Sequence, residues 1–219
     1  MAGRPDLKEQ EKFWDREAGC FDAIYSHQKS RLGVWLDRTF RWDMYERFRY
    51  TLREAEPIPG RTFLDVGCGT GMYALELARR QAREVVGLDI SGTMVEICRK
   101  RALEEQLADQ TKFFQTNLLD FHPLQSFDLC IGIGLMDYIA EPLPVLAKMR
   151  RLTRDRTILS FPMKGTWRAV LRQIRLNLKK CRVYFYSRSD VEWLLREAGF
   201  ARYSLKEHGQ LLCVTAYVA

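Results

Sequence analysis

The chain has 219 residues, 47% of them hydrophobic, which is ample for one domain with a sizeable core. A formal net charge of +7 favours acidic partners (substrate, membrane surface or nucleic acid) without choosing among them. The six cysteines form no CxxC pair and have no nearby histidines, so reduced buried thiols are expected rather than disulfides or a zinc site.

Glu9–Ala18 and Arg38–Ala55 read as helices. Phe40, Met44, Phe48 and Leu52 recur at every fourth position of the second and make an apolar stripe. Pro57, Pro59 and Gly60 mark a junction, which divides the chain into an N-terminal helical cap, 1–59, and a second unit, 60–219. The charged N-terminus has no secretory hydrophobic stretch, and no run reaches membrane-spanning length. A cytoplasmic protein, or one peripheral at a membrane, is expected.

After the junction, Phe63–Val66 reads as a buried strand, and Gly67, Gly69 and Gly71 as a tight turn. An amphipathic helix then begins at Met72. Glycines let a ligand approach the backbone, and a helix start offers unpaired N–H groups. A dinucleotide turn needs Gly-x-Gly-x-x-Gly to seat a pyrophosphate. Here the spacing is Gly-x-Gly-x-Gly with Asp65 before it, an acid that repels a pyrophosphate and suits an ammonium group or an ordered water.

A second strand, Glu84–Asp89, ends in an acid about 20 residues beyond the first glycine, the usual distance for a ribose-binding carboxylate. Ser91 then caps a helix predicted over Thr93–Leu107. Thr111–Leu118 reads as a third strand, and the apolar run beginning at Phe127 as a fourth, leading into Asp137 and Tyr138. Glu141–Leu152 follows as a helix and Thr157–Pro162 as a fifth strand. In the insertion at about 163–182, Trp167, Val170, Leu171, Ile174 and Leu178 share one helical face. Arg168, Arg172, Arg175 and Lys179 share another, with Lys180 and Arg182 just beyond. A last helix is expected from Ser189, as its N-cap, to Gly199, before strands near Ala201–Glu207 and Leu211–Val218.

Leu64-Asp65-Val66-Gly67-Cys68-Gly69-Thr70-Gly71, followed in register by Asp89, closely resembles the first two motifs of the class I S-adenosylmethionine (SAM) methyltransferases. The resemblance spans roughly 60–219 in the expected order. It implies an α/β fold, a doubly wound seven-stranded mixed sheet, with the helical cap and the insertion as additions. It also implies SAM as cofactor and S-adenosylhomocysteine (SAH) as product. Asp65, Gly67, Cys68, Gly69 and Gly71 would then cradle the methionine end, Asp89 would bind ribose, and Ile90, Asn117 and Leu118 would flank adenine. Met94 and Ile133 would complete the cofactor pocket. Phe21–Tyr25 is similar to the entry segment of that family, with Tyr25 closing over the cofactor and Arg41 meeting a carboxylate.

Quinone-biosynthesis O-methyltransferases often carry Leu-Glu-His-Val after the fourth strand, where this chain has Met136-Asp137-Tyr138-Ile139. Asp137 and Tyr138 are therefore the acceptor-side candidates, without the histidine. An unperturbed tyrosine is a poor base at neutral pH, and an acceptor that is already ionised needs none. None of His27, His122 and His208 is nominated by spacing; the last two read as surface residues. Val183–Tyr186 with the basic insertion is loosely similar to porphyrin-carboxylate methyltransferases.

The expected function is methyl transfer to a small aromatic or lipophilic acceptor, at oxygen. An acidic substrate or anionic membrane surface is the candidate partner of the basic helix 167–182, and nucleic acid ranks lower. The alternatives are an RNA or protein methyltransferase docking through that helix, and a non-catalytic SAM-binding partner subunit.

Overall fold

The structure, a computed structural model, describes the backbone of residues 4–25, 42–165 and 181–218, with side chains over 8–18, 44–165 and 181–218. Two helices open it, α1 (Arg4–Tyr25) and α2 (Trp42–Ala55). Then come β1 (Thr62–Val66), α3 (Met72–Arg79), β2 (Glu84–Asp89), α4 (Gly92–Glu104), β3 (Thr111–Gln115) and β4 (Phe127–Gly132). The chain continues with α5 (Pro142–Leu152), β5 (Thr153–Pro162), α6 (Arg188–Glu197), β6 (Arg202–His208) and β7 (Leu211–Tyr217). Short 3₁₀ turns at Leu118–Asp120 and Met136–Tyr138 follow β3 and β4.

The seven strands form one sheet in the order β3-β2-β1-β4-β5-β7-β6. The first five strands pair in parallel, and β7 pairs antiparallel with both β5 and β6. Parallel strands are covered on both faces, so they read as unbroken apolar runs; every residue of β1 is buried. Phe63, Leu129, Ile131 and Ile158 pack on one face with Tyr50 and Leu52 of α2, Leu77 of α3 and Val95 of α4. Leu64, Val86, Cys130 and Leu159 pack on the other with Val145, Leu146 and Met149 of α5 and Leu195 of α6. Truncating one of these side chains to Ala costs roughly 2–5 kcal/mol. The strand order reverses between β1 and β4, and in such sheets ligands bind beyond the carboxyl ends of the strands at that point.

Several boundaries differ from expectation for local reasons. Ser187, not Ser189, caps α6: its Oγ accepts the Asp190 N–H at 3.1 Å, and Asp190 returns the bond by accepting the Ser187 N–H at 2.8 Å. β5 begins at Thr153, because its Oγ1 donates to Met149 O at 2.7 Å and turns α5 straight into the strand. α4 ends at Glu104 rather than Leu107, and α1 is longer than Glu9–Ala18. His208 is half-buried rather than a surface residue, its ring 5.6 Å from that of Tyr50. The described cysteines, Cys68, Cys98, Cys130, Cys181 and Cys213, are all buried free thiols. Among the described residues no helix is long and apolar enough to cross a membrane. Phe40, Arg41, His27 and the helix 167–180 with its basic face lie outside the described residues, as do the side chains of Cys20 and Tyr25.

Candidate functional site

Gly67, Gly69 and Gly71 adopt φ of 72°, 53° and 83°, the left-handed region that side chains rarely enter. The turn also lacks room. A Cβ on Gly67 would stand 3.0 Å from Leu135 Cδ1, and one on Gly71 would stand 3.0 Å from Cys98 Sγ. The Gly67 and Cys68 N–H groups both donate to Leu88 O, at 2.8 and 3.0 Å, and this folds the turn back over β2. From behind, the Cys98 thiol donates to Gly69 O at 3.0 Å and Arg101 Nη1 to Thr70 O at 3.1 Å. Cys68 turns its side chain into the core, where burial and the Cys98 thiol push its own thiol well up.

Two acids flank this turn. Asp65, 2% exposed at the end of β1, accepts the Ala74 N–H from the first turn of α3. Its Oδ2 is buried without a hydrogen-bond partner among the described residues. Burial, and then the charge of Asp89, push the Asp65 carboxyl up to about 7; the Ala74 amide opposes them. A buried carboxylate oxygen left unpaired costs on the order of 1–3 kcal/mol, so this oxygen calls for a partner. Asp89 is half-buried. Its Oδ2 accepts the Gly69 N–H and its Oδ1 the Ser91 N–H, both at 2.9 Å. Burial raises it against the pull of these amides.

Beyond Asp89, Ser91 Oγ accepts the Met94 N–H at 3.2 Å and caps α4 as expected. Met94 is 2% exposed, so its side chain is part of the packed interior. The end of β3 is tied to β2 by Thr116 N–H donating to Asp89 O at 2.9 Å. Asn117 Oδ1, the oxygen expected to face an amine, accepts the Leu119 N–H at 2.9 Å and caps the 3₁₀ turn, which uses one of its two lone pairs. Leu118 and Ile133 are buried and Ile90 half-buried.

Helix α1 crosses the carboxyl ends of these strands. Asp15 Oδ1 accepts from Ser91 Oγ at 2.5 Å and from Thr93 N–H at 3.3 Å. At the other end Gln10 Nε2 donates to Tyr138 O at 3.0 Å, and the Trp14 ring meets the Tyr138 ring edge-on with centroids 4.9 Å apart. Phe13, Cys181 and Val183 bury one another there, with Trp14, Tyr138 and Phe185 packed around them. Tyr138 is thus one wall of an aromatic lining. Asp137 is 2% exposed beneath the returning segment 181–187: its carbonyl accepts the Tyr184 N–H at 2.8 Å, and its charge helps raise the Tyr186 phenol.

Three side chains at this site escaped the sequence reading: Asp15, Arg47 and Ser160. The Arg47 guanidinium lies against the backbone of Gly134, with Nη1 3.3 Å from where a Cβ would stand. Its positive charge reaches Cys213, and the Gly134 N–H donates to Ser160 Oγ at 2.9 Å. Arg47 flanks the stripe of α2, three residues after Met44 and one before Phe48; that spacing was the available signal. Arg41, the arginine expected to meet a carboxylate, lies outside the described residues.

Residues 63–156 match the family described as a methyltransferase domain. A tRNA U34 carboxymethyltransferase of Haemophilus ducreyi is 28% identical over 120 residues, 54% of this chain and 36% of that protein. A ubiquinone biosynthesis O-methyltransferase of Pasteurella multocida is 27% identical over 128 residues, 52% of this chain and 51% of that protein. The chain therefore spans between about a third and about half of these relatives' lengths. Among solved structures, magnesium protoporphyrin IX methyltransferase from Synechocystis PCC 6803 with bound SAH superposes with a TM-score of 0.76. It covers 97% of this chain and 99% of that one at 22% identity, so it speaks for the fold. Residues 63–156 thus carry a methyltransferase domain within this seven-stranded sheet, and the solved methyltransferase shares the fold.

Proposed function

We propose that the protein is a SAM-dependent methyltransferase acting at oxygen on a small aromatic or lipophilic acceptor. The observation that carries this reading is Asp65, a buried carboxylate with an unpartnered oxygen beside a turn where a Cβ on Gly67 or Gly71 would stand only 3.0 Å from its neighbours. A cationic sulfonium cofactor with an amino-acid tail fits that environment: an ammonium group satisfies the orphaned oxygen and stabilises its charge. In this reading Asp65 holds the ammonium, Arg47 the carboxylate and Asp89 the ribose hydroxyls, while Ile90, Asn117 and Leu118 border the adenine.

The cofactor supplies a methyl group on a good leaving group, so the chain's residues mainly position the acceptor and exclude water. Tyr138, Trp14 and Phe185 supply apolar, flat surface for an aromatic acceptor. Asp137 holds the turn after β4 in place from below. Trp14 and Phe185 carry no basic group and an unperturbed tyrosine is a poor base at neutral pH, which favours an acceptor oxygen that is ionised before it binds. The relatives named for ubiquinone biosynthesis and for a porphyrin support a small-molecule acceptor. The relative named for tRNA supports a second reading, an RNA acceptor.

Titration calorimetry with SAH tests the cofactor; micromolar one-to-one binding is expected, and no binding at millimolar ligand overturns the proposal. Labelled SAM offered with catechol, porphyrin-carboxylate and tRNA acceptors then separates the two readings. Label in RNA alone sinks the small-molecule assignment.

A further inference from the structure

Lys148 is 7% exposed, which is rare for an amine that must keep its charge solvated or paired. It lies on α5 between Ala147 and Met149, and its neighbours Val145, Leu146 and Met149 enter the core beside Leu118. Its Nζ donates to Leu119 O at 2.7 Å, a short contact between a cationic donor and a neutral acceptor. The same residue's N–H is held by Asn117 Oδ1 at 2.9 Å. Leu119 is therefore gripped at both of its backbone groups, once locally and once from a helix far along the chain. The turn it belongs to also closes through Asp120 N–H to Asn117 O and Phe121 N–H to Leu118 O, both at 3.1 Å.

No local rule requires a lysine here, since the 3₁₀ turn is already capped by Asn117. What the ammonium adds is a fixed distance between α5 and the two residues that end the β3 edge of the cleft. We propose that Lys148 is a positioning residue for base recognition: it sets Asn117 and Leu118 at the height where they discriminate the edge of the purine. This rests on the cofactor reading above. Without the ammonium the turn still forms but rides on α5 through apolar contacts alone, which tolerate sliding. The binding of the ribose and methionine ends, held by β1, β2 and α2, is untouched.

The test compares SAH with S-inosylhomocysteine, the same ligand with a carbonyl in place of the exocyclic amine. Wild type is expected to prefer SAH by tenfold or more. Lys148→Met keeps the aliphatic stem and is expected to lose about tenfold in SAH affinity. Its affinity for the inosine analogue should change less than twofold, so that the preference collapses, and Lys148→Arg should restore part of it. If Lys148→Met does not fold, Lys148→Gln carries the same comparison. A variant that keeps the wild-type preference overturns the proposal, and so does one that weakens both ligands equally alongside a lower melting temperature. A wild type that binds neither ligand overturns the cofactor reading, and this proposal with it.

Discussion

The Asp89 carboxylate accepts the Gly69 N–H at 2.9 Å, so the acid that ends β2 also fixes the middle glycine of the turn after β1. One side chain thus joins the two halves of the cleft. Asp89→Asn puts an NH₂ where one of two backbone N–H donors, Gly69 or Ser91, now points. SAH affinity is expected to fall more than tenfold by calorimetry. The loss in folding stability should be about 1–3 kcal/mol in urea denaturation, too little to unfold the chain. Unchanged affinity would remove Asp89 from the ribose role.

If Asp65 holds the cofactor's ammonium as proposed, ligand binding should depend on pH. Its folded pKa of about 7 lies above the ordinary carboxyl value near 3.9. Between those values the unfolded chain has released a proton that the folded chain keeps, so stability falls as pH rises through that window and levels off above it. A ligand ammonium prefers the ionised carboxylate, so SAH affinity should rise with pH up to about 7 and then plateau. Asp65→Asn should flatten both curves, melt higher than wild type at pH 8, and bind SAH more weakly there. A wild-type affinity that is flat from pH 5 to 7.5 would contradict this assignment.

Much of the fold was legible because parallel strands and a glycine turn leave strong local marks. Phe63–Val66 and Glu84–Asp89 were apolar runs with an acid at or next to their ends, and both emerged as strands in the middle of the sheet. The α6 cap was misread because three candidates, Ser187, Ser189 and Asp190, stand close together, and only the reciprocal bond between Ser187 and Asp190 selects among them. The acceptor side was the least legible. Asp137 follows a strand as a reacting group does, yet burial beneath Tyr184–Tyr186 depends on a segment returning from far along the chain. Arg47 and Asp15 reach the cleft only through helix packing, which no motif records.

Arg47 should act on one end of the cofactor only. Its guanidinium borders Gly134, whose N–H donates to Ser160, at the carboxyl ends of β4 and β5. A charge-assisted bond to a carboxylate is worth roughly 1.5–3 kcal/mol, so Arg47→Ala should weaken SAH at least tenfold. 5′-Methylthioadenosine, which lacks the amino-acid end, should bind the variant as it binds wild type. Equal loss for both ligands would mean that Arg47 only holds α2 on the sheet.

Asp15 is expected to slow the release of a ligand. Helix α1 is fastened at two places across the cleft, by Asp15 on Ser91 and Thr93 and by Gln10 and Trp14 on Tyr138. The Ser91 hydroxyl holds the Asp15 carboxyl below its usual range, which means that the bond is made to the charged form. Asp15→Ala frees one fastening and leaves Ser91 able to cap α4, so the sheet and its core are preserved. Opening of a segment held by few contacts then becomes easier. Stopped-flow displacement of SAH should show dissociation several-fold faster than in wild type, with the melting temperature of the ligand-free protein changed little. Ser91→Ala removes the same fastening together with a helix cap, so it should match the faster release and lose about 0.5–2 kcal/mol of stability besides. Release at the wild-type rate in both variants would leave α1 as a fixed wall that the ligand passes without moving.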